Sequence, residues 1–496
     1  MTTSLAFSVR NGQCVLLSAV PHVNLQAFQH AIVSAVHDGL RVASLFGMDG
    51  GKGAVRLYAV LANDTAHTLT LLTTEVGTGE YASLTPDCPQ VHLFEREIWE
   101  QTGLTPIGHP RLAAVRRHDV VTQGGDPRHP FFPLRGEEAH EVAVGPIHAG
   151  VIEPGHFRFQ CHGETVHNLD IHLGYQHRGV EEALLDGPTK RTVHYMETVA
   201  GDTTVGNAMA YAQVVEALSA TDVPDRARAL RAAALELERL ANHVGDMGAL
   251  ANDVGFLPTS AYCGRLRGEF LNITAMICGH RLGRSLVRPG GVRFDVDDKM
   301  ASEVLNRLDK AERDVKNALE LFFNTGSVLN RVEGTGKVSK QACLDLGFVG
   351  MAARSTGVRR DTRVDHPSGW FARETVEPAV FDSGDVYARA RVRKVEIARS
   401  IAYVRKVIAD LPSGATAVTI GDLAPSSIVV SMVEGWRGEL CHVAITDRQG
   451  RFARYKLVDP SFHNWTALSL ALRNEQISDF PLCNKSFNLS YCGFDL

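Results

Sequence analysis

Two hydrophobic periodicities alternate along the first 175 residues and predict both strands and helices. Apolar residues at every second position predict strands at Val55–Leu61 and Thr68–Thr74, whereas an apolar stripe at helical spacing predicts a helix over Gln26–Asp38. The same alternation appears on both sides of a polar turn, in His156–Gln160 and Thr165–Ile171, and predicts a β-hairpin. This part of the chain is therefore expected to mix α-helix with β-sheet.

From about residue 220 onward the pattern becomes helical. A helix is expected with Pro224 in its first turn and with Thr221 or Asp222 as its cap. Its apolar residues recur on one face: Leu230, Ala234, Leu237, Ala241 and Val244. Further helices are expected over Tyr262–Leu286, Asp297–Phe323 and Ser383–Leu411. A small late sheet is expected from strands at Val418–Ile420, Ile428–Val433, Cys441–Thr446 and Arg454–Leu457. Together the long helices predict a helical bundle.

The chain is 496 residues long, which exceeds a single compact core and predicts two or more domains. One stretch is punctuated by residues that interrupt regular structure: Gly124, Gly125, Pro127, Pro130 and Pro133. We therefore expect an α/β domain in residues 1–120, a linker in 121–141 and a larger domain in 142–496, with the two domains folding separately. The overall fold class is α+β.

Composition narrows the class of protein. A net charge of −5 leaves no basic footprint for nucleic acid. No apolar run reaches the ~18 residues of a membrane span, and the N-terminus has no continuous apolar segment typical of a secretory signal. The nine cysteines form no CxxC pair: Cys14, Cys88, Cys161, Cys263, Cys278, Cys343, Cys441, Cys483 and Cys492. Scattered cysteines in a long chain indicate a reducing cytosol.

A series of motifs follows the linker. Gly145-Pro-x-His148, Gly155-His-Phe-Arg158, Gly163-Glu-x-Val166 and Gly174-Tyr-x-His177-Arg-Gly-x-Glu181 come first. Later come Glu236-Leu-Glu-Arg-Leu-Ala-Asn-His243, Arg288-Pro-Gly-Gly-Val-Arg-Phe-Asp295 and Asp361-Thr-Arg-Val-Asp-His-Pro367. In this order they resemble the large subunit shared by energy-converting nickel–iron hydrogenases of the formate hydrogenlyase type and by respiratory complex I. In complex I the homologous subunit helps to form the quinone site.

The end of the N-terminal domain carries a second resemblance. Phe94-Glu-Arg-Glu-Ile-Trp99 is followed by Gly108-His-Pro-Arg-Leu112. This is similar to the small hydrophilic subunit of complex I, which is fused to the large one in formate hydrogenlyase. On its own, Glu-Arg-Glu on a helix is more typical of a solvated face. The two resemblances imply an N-terminal α/β domain fused to a hydrogenase-like large domain, with a central helical bundle flanked by small antiparallel sheets.

A nickel–iron centre needs four thiolates in two close pairs, because four sulfurs converge on one metal. The hydrogenase relatives supply them as two CxxC pairs. In register with those pairs this sequence carries Ala200 and Thr203, then Ser490 and Gly493. All four ligands are absent, and Cys492 is one residue out of register. The comparison therefore implies that the chain binds no nickel, no iron and no other cofactor directly.

The quinone site of complex I is altered as well. The tyrosine of the relatives falls on Gly201, and in the remodelled histidine loop Glu153 or His156 stands near the histidine position without clean register. Asp253 matches the acidic partner of that histidine, and such a pair can deliver protons to a reduced quinone. The resemblance implies a cavity lined by His148, Glu153, His156, His177, Arg178, Asp202, Thr203, Thr204, Asp253, Ser490 and Tyr491.

Two further features concern this cavity. The C-terminal segment is expected to be buried beside the hairpin, anchored by Phe487, Leu489, Tyr491 and Phe494.

Six histidines lie in or near the hairpin: His148, His156, His162, His167, His172 and His177. Zinc sites usually show tight CxxC or HxxxH spacing, which is absent here. Hydrogen-bonded structural histidines are the favoured interpretation, and a metal site is the alternative.

The resemblance implies a subunit of a membrane-associated oxidoreductase that transfers electrons to a quinone-like acceptor. Its partners would be an iron–sulfur subunit with a 4Fe–4S cluster and membrane-embedded antiporter-like subunits, and not nucleic acid. It would be cytoplasmic and peripheral, held on the inner face of the membrane by these partners. The alternative is a non-catalytic scaffold of such a complex. A working nickel hydrogenase with substitute ligands is a third, less favoured hypothesis.

Overall fold

The structure is a computed structural model that describes residues 7–77, 79–116, 134–148 and 152–496. Most of the predicted linker lies outside these residues. The N-terminal elements are β1 (Phe7–Val9), β2 (Val15–Leu16), α1 (Leu25–His37), β3 (Arg41–Gly51), β4 (Ala54–Asn63), β5 (Thr68–Val76), β6 (Glu80–Ala82), α2 (His92–Thr102) and β7 (Thr105–Ile107). Strands β1, β5, β4 and β3 form an antiparallel sheet in that order. The predicted first helix and both predicted strands of this region are confirmed.

Helix α2 carries the Glu-Arg-Glu motif, and the motif is buried rather than solvated. Glu95 is 0% and Glu97 is 1% exposed. Glu95 accepts hydrogen bonds from the loop before the helix, and Arg96 donates to the carbonyl of Ala113 at 2.7 Å. Glu97 pairs with Lys456 of the large domain at 2.6 Å. The motif therefore joins α2 to its neighbours, and the solvated-face interpretation is wrong.

The remaining elements belong to the large domain. They are β8 (Ala139–Val144), β9 (His156–His162), β10 (Thr165–His172), α3 (Val180–Ala183), α4 (Thr192–Met196), α5 (Thr204–Leu218), α6 (Asp225–Asp253), α7 (Leu257–Cys278), β11 (Val287–Arg288), β12 (Gly291–Val292), α8 (Asp298–Phe323), α9 (Gly326–Val332), α10 (Lys340–Leu346), α11 (Gly350–Arg354), α12 (Thr362–Asp365), α13 (Val386–Ala409), β13 (Ser427–Glu434), β14 (Glu439–Thr446), β15 (Phe452–Val458), α14 (Pro460–Ala471), α15 (Phe480–Phe487) and α16 (Tyr491–Phe494). Helices α6, α7, α8 and α13 pack together as the predicted central bundle. Within the described part of the chain, no helix is long and apolar enough to cross a membrane.

Two predicted helix boundaries need correction. The helix expected over Tyr262–Leu286 ends at Cys278, because Gly279 adopts a left-handed conformation with φ of 74° and its N–H caps the last turn. Upstream, α6 begins at Asp225, so Pro224 precedes the first turn instead of lying inside it. Pro224 is itself the N-cap residue, and no side chain caps this helix end.

Two antiparallel sheets flank the bundle. The predicted hairpin forms β9 and β10, which join β8 in the order β10-β9-β8, and the late sheet has the order β15-β14-β13-β2. The predicted strand at Val418–Ile420 is wrong, since these residues lie in a loop. The N–H of Val418 bonds only to the carbonyl of Gly290, at 2.9 Å. The strands on either side of Gly290, β11 and β12, are two residues long each, which is too short for residues 418–420 to form a strand against them.

The two predicted domains share structure. Strand β2 pairs with Ser427 and Ile428 of β13, so an N-terminal segment completes the late sheet. Arg41 of β3 forms a buried ion pair with Glu439 of β14. One hydrophobic core contains residues from both regions. The division into residues 1–120 and 142–496 stays a prediction, and these contacts predict that the two parts remain associated when the linker is cut.

Candidate functional site

A cavity of about 480 Å³ lies where the loop before the hairpin, the loop before α5, the end of α6, the turn between β13 and β14 and the C-terminal helices meet. It is lined by Ile152, Glu153, Gly201, Asp202, Asp253, Arg437, Phe480, Pro481, Asn484, Lys485, Asn488, Leu489, Ser490 and Tyr491. The structure thus brings together five residues that the sequence placed in a cavity: Glu153, Asp202, Asp253, Ser490 and Tyr491. Burial raises the pKa of Asp253, and Lys485 opposes that rise.

The predicted histidines lie around the cavity but not in its wall. Ring nitrogens of His148 and His156 contact the carbonyl oxygens of Gly155 at 2.7 Å and Gly145 at 3.2 Å. The ring of His177 contacts the carbonyl of Asp495 at 3.1 Å. These contacts agree with the hydrogen-bonded interpretation of the histidines. Among the described residues, no group of three or more histidine, cysteine or acidic side chains is placed to hold a metal ion.

The other predicted residues support the loop that forms one wall. Arg178 donates to the carbonyls of residues 198 and 199, both at 2.8 Å. Thr204 donates to the carbonyl of residue 197 at 3.1 Å, and Thr203 contacts Arg437 Nη1 at 3.4 Å. Glu238 of α6 accepts the first free N–H groups of α5 from residues 205 and 206. These bonds fix the backbone that presents Gly201 and Asp202 to the cavity.

The C-terminal segment is buried beside the hairpin, as predicted. Helix α15 ends at Asn488 in a left-handed conformation with φ of 47°, which turns the chain back toward the core. The ring of Tyr491 then packs against Trp465 at 4.8 Å and Phe157 of β9 at 6.3 Å between centroids. Its N–H donates to Glu153 at 3.0 Å. The segment is therefore held by aromatic packing and hydrogen bonds.

Arg437 is a cavity residue that the sequence analysis missed. It lies in the turn between β13 and β14 and is 8% exposed. Its guanidinium stacks on Trp436 at 3.9 Å and donates to the carbonyl of Asn488 at 2.6 Å. It forms no ion pair with any residue that the structure describes. The signal that could have found it was a charged residue inside Gly435-Trp-Arg-Gly438, between two predicted strands.

The turn that carries Arg437 rests on a buried network of charges. Arg239 donates to the carbonyls of Glu434 at 2.7 Å and Gly435 at 3.1 Å. Nε2 of His243 lies 2.7 Å from Glu396. Burial alone would raise the pKa of Glu396, but Arg354 and His243 hold it well below its ordinary range. Arg239 of α6 thus holds the turn from beneath, within a cluster of charges that includes Arg354 of α11 and Glu396 of α13.

The residues present do not fit a nickel–iron centre. Ala200, Thr203, Ser490 and Gly493 offer hydroxyl groups at most. A Cβ at Gly493 would lie 2.7 Å from Oδ2 of Asp459, closer than such contacts allow. Asp459 is 2% exposed, and Oδ2 has no hydrogen-bond partner among the described residues. Burial raises its pKa, and Arg437 opposes that rise. A buried carboxyl group thus occupies the space next to Gly493, one of the four positions that the resemblance aligns with the nickel ligands.

Family models match both parts of the chain. The model of the respiratory-chain NADH dehydrogenase 30 Kd subunit matches residues 22–138. That of the 49 Kd subunit of the same enzyme matches residues 253–427 and 415–495. The order of the two matches agrees with the fusion expected from the sequence.

The curated relatives include subunits of hydrogenases and of NADH-quinone oxidoreductases. The carbon monoxide-induced hydrogenase of Rhodospirillum rubrum is 30% identical over 350 residues, covering 70% of this chain and 97% of the relative. Formate hydrogenlyase subunit 5 of Escherichia coli (strain K12) is 27% identical over 475 residues, 90% of this chain and 83% of the relative. A subunit of the NADH-quinone oxidoreductase of Akkermansia muciniphila is 28% identical over 378 residues, 71% of this chain and 91% of the relative. The chain therefore belongs to the family of hydrogenase large subunits and complex I 49 Kd subunits, with a 30 Kd-type domain fused in front.

Proposed function

We propose that this chain is the large subunit of a complex I-related oxidoreductase that holds no nickel–iron centre and passes electrons to a quinone-like acceptor. The observation that carries the proposal is the cavity itself. It lies at Ser490 and at Gly201–Asp202, between Ala200 and Thr203, and its wall combines charged and polar side chains with the apolar Ile152, Phe480, Pro481 and Leu489. Apolar walls and placed polar groups together can bind and orient an organic acceptor.

The family supports the rest of the assembly. We infer that an iron–sulfur subunit with a 4Fe–4S cluster delivers electrons to the cavity, and that membrane-embedded antiporter-like subunits anchor the complex. The chain itself would then be peripheral, on the cytoplasmic face of the membrane. The second candidate is a non-catalytic scaffold, which the four missing thiolates favour.

Nickel analysis tests the first part of the proposal. Protein purified from a nickel-replete host should contain no stoichiometric nickel or iron, because no set of four thiolates converges among the residues that the structure describes. Elemental analysis of the purified chain measures this directly. Stoichiometric nickel would overturn the proposal and would favour a hydrogenase with substitute ligands.

A cavity-filling variant separates the redox subunit from the scaffold. Gly201 lines the cavity and a Cβ there meets no atom within 4 Å, so Gly201→Phe adds a ring at the cavity wall without displacing backbone. In the purified complex this variant should abolish reduction of decylubiquinone while assembly is unchanged, and Gly201→Ala should retain activity. Equal activity of wild type and Gly201→Phe would support the scaffold.

A further inference from the structure

A second pocket, of about 270 Å³, lies between the N-terminal region and the large domain, and we call it the cationic pocket. Its walls come from helix α2, the loops after β6 and β7, strand β10, and helices α14 and α16. It shares no lining residue with the cavity described above. The charged residues of its wall are Arg96, Arg111, Asp170 and Arg473. Three guanidinium groups thus accompany one carboxylate, an excess of two positive charges.

Arg96 of α2 is a partly buried cation without a counter-ion. Its Nε donates to the carbonyl of Ala113 at 2.7 Å and its Nη2 to that of Ala114 at 2.9 Å. These bonds satisfy two nitrogens but leave the charge uncompensated, since Arg96 forms no ion pair with a described residue. Burial and the neighbouring Arg111 lower its pKa to about 10, so it stays charged at neutral pH. Buried charges are normally paired, and an anion in the pocket would supply the missing partner.

The other two guanidinium groups differ in what they contact. Arg111 pairs at 2.6 Å with Asp170, which is 1% exposed, so the carboxylate of the pocket is already neutralised. Arg473, in the turn after α14, is exposed and forms no ion pair with any residue in the described part of the chain. Arg96 and Arg473 therefore supply the two excess charges.

Two further carboxylates lie near this wall but do not line the pocket. Glu95 accepts hydrogen bonds from Leu84 and Thr85 in the loop before α2. Glu100 accepts the N–H groups of residues 115 and 116, at 2.6 and 2.9 Å. Both are engaged with the protein itself, and neither is placed in an ion pair with Arg96.

His92 shows that cations dominate the electrostatic potential of the pocket. Burial, then Arg96, His109 and Arg111, lower its pKa to about 3, so the ring is neutral at pH 7. Its Nε2 lies 3.4 Å from the hydroxyl of Thr466, whereas Nδ1 has no partner among the described residues. A neutral imidazole and a hydroxyl group both form hydrogen bonds with an oxygen ligand without adding charge.

We propose that the cationic pocket binds a dianionic phosphate group, held by Arg96, Arg473 and His92. The charge of monohydrogen phosphate matches the excess of two positive charges. Guanidinium groups bind phosphate oxygens through charge-assisted hydrogen bonds, often in pairs. The volume of the pocket also admits a small organic substituent on the phosphate. Because α2 belongs to the N-terminal region and α14 to the large domain, a bound phosphate bridges the two. The proposal does not rest on the proposed function.

Isothermal titration calorimetry of the full chain with inorganic phosphate, at constant ionic strength in chloride, tests the proposal. The wild type should bind phosphate saturably. Arg473→Gln should weaken binding about tenfold, the value of a hydrogen bond to a charged group, and Arg473→Glu should abolish it. Arg448→Gln is the matched control, since Arg448 is also exposed without an ion pair among the described residues but does not line the pocket.

Melting temperature provides a second readout. Arg473 is exposed, so both of its variants should melt like the wild type in the absence of phosphate. Phosphate should raise the melting temperature of the wild type, because a ligand that binds only the folded state stabilises it, and should leave that of Arg473→Glu unchanged. An equal rise in the wild type and Arg473→Glu would contradict the proposal.

Three results of the titrations would overturn the proposal. These are no saturable binding to the wild type, equal affinity of wild type and Arg473→Gln, and the same loss in Arg448→Gln. Glycerol 3-phosphate, titrated in parallel, separates the two sources of a phosphate group. Tighter binding than inorganic phosphate would support the site with an ester as its ligand, and weaker binding would support it with the free ion.

Discussion

At the scale of single residues, Asp459 is a buried carboxyl group with one oxygen that has no hydrogen-bond partner among the described residues. Oδ1 caps helix α14 by accepting the N–H of Ser461 at 2.8 Å, whereas Oδ2 is buried without a partner among the described residues. A buried unpaired carboxylate is costly, so its pKa shifts until the neutral form is favoured. Asp459 therefore caps helix α14, but burial of its unpaired oxygen lowers the free energy of unfolding.

We predict that Asp459→Asn stabilises the protein at pH 8. Because the folded pKa is raised, the folded state binds the proton more tightly than the unfolded state, and stability falls as pH rises above the ordinary aspartate value of about 3.9. The amide keeps the capping oxygen and removes the charge. Urea unfolding should show a gain of about 1–3 kcal/mol at pH 8 and a smaller gain at pH 5.

Asp385 is the matched control for this prediction. It also caps a helix, α13, and is 4% exposed, but its second oxygen accepts the N–H of Gly334 at 2.8 Å. Asp385→Asn replaces that acceptor with a donor and should destabilise the protein at both pH values. A loss of stability in Asp459→Asn at pH 8 would mean that its carboxylate is compensated.

At the scale of elements, the C-terminal segment depends on its apolar side chains. Four of them are 2–6% exposed: Phe487, Leu489, Tyr491 and Phe494. Burial of each contributes about 1.5–3 kcal/mol. Truncation after Leu482 should therefore lower thermal stability and impair assembly with the iron–sulfur partner. An unchanged melting temperature and unchanged assembly would show that the segment after Leu482 is not anchored to the rest of the protein.

A leucine pair provides a milder version of this experiment. Leu489 is 5% exposed and lines the cavity, whereas Leu257 is 66% exposed. Leu489→Ala should cost about 2–5 kcal/mol of unfolding free energy, the usual range for a buried leucine. Leu257→Ala should change it by no more than about 0.5 kcal/mol. Similar effects of the two substitutions in urea unfolding would contradict an anchored segment.

Periodicity in the sequence predicts elements better than their ends. The hairpin, the first helix and the long helix beginning after Asp297 lie where the pattern places them, since their apolar faces are continuous. Gly279 ends α7 because it adopts a left-handed conformation. The apolar pattern continues past Gly279, so periodicity alone places the end of the helix too late. The strand at Val418–Ile420 fails because a strand needs a partner of sufficient length.

Parts of the cavity could be predicted only through the family. Ser490 and Tyr491 were placed there because the metal-binding relatives need that segment at the centre. Arg437 and Asp459 were missed, since each lies far along the chain from the motifs. Tertiary packing brings Arg437 to the cavity and Asp459 beside Gly493. His148 and His156 were included on motif grounds, but backbone carbonyls hold their rings outside the wall.

At the scale of the whole molecule, buried charges connect regions far apart in sequence. Arg41 joins Asp64 of its own region to Glu439 of the late sheet, and Arg360 also pairs with Asp64. Such a cluster is sensitive to loss of one member, because the remaining charges stay buried. The N-terminal region is thus held to the large domain by charge as well as by the shared sheet.

The linker prediction is testable together with this cluster. Limited proteolysis should cut within residues 118–141, and the two fragments should still elute together in gel filtration. Arg41→Gln should release the N-terminal fragment, because it leaves the buried carboxylate of Glu439 without its cation, at a cost of about 3–5 kcal/mol. Arg56→Gln is the control: Arg56 pairs with Glu75 on the surface of the same region, and such exposed pairs contribute at most about 1 kcal/mol.

The possible outcomes of this experiment have different meanings. If no cut occurs within residues 118–141 even at high protease, the two regions are not separate folding units. If the wild-type fragments separate after cleavage, strand β2 and the Arg41 cluster do not hold the regions together. If the N-terminal fragment is released from both Arg41→Gln and Arg56→Gln, the loss of association results from a disturbed sheet and not from the buried charge. Release from Arg41→Gln alone is the expected result, since only that substitution leaves a buried carboxylate, the 2% exposed Glu439, without its cation.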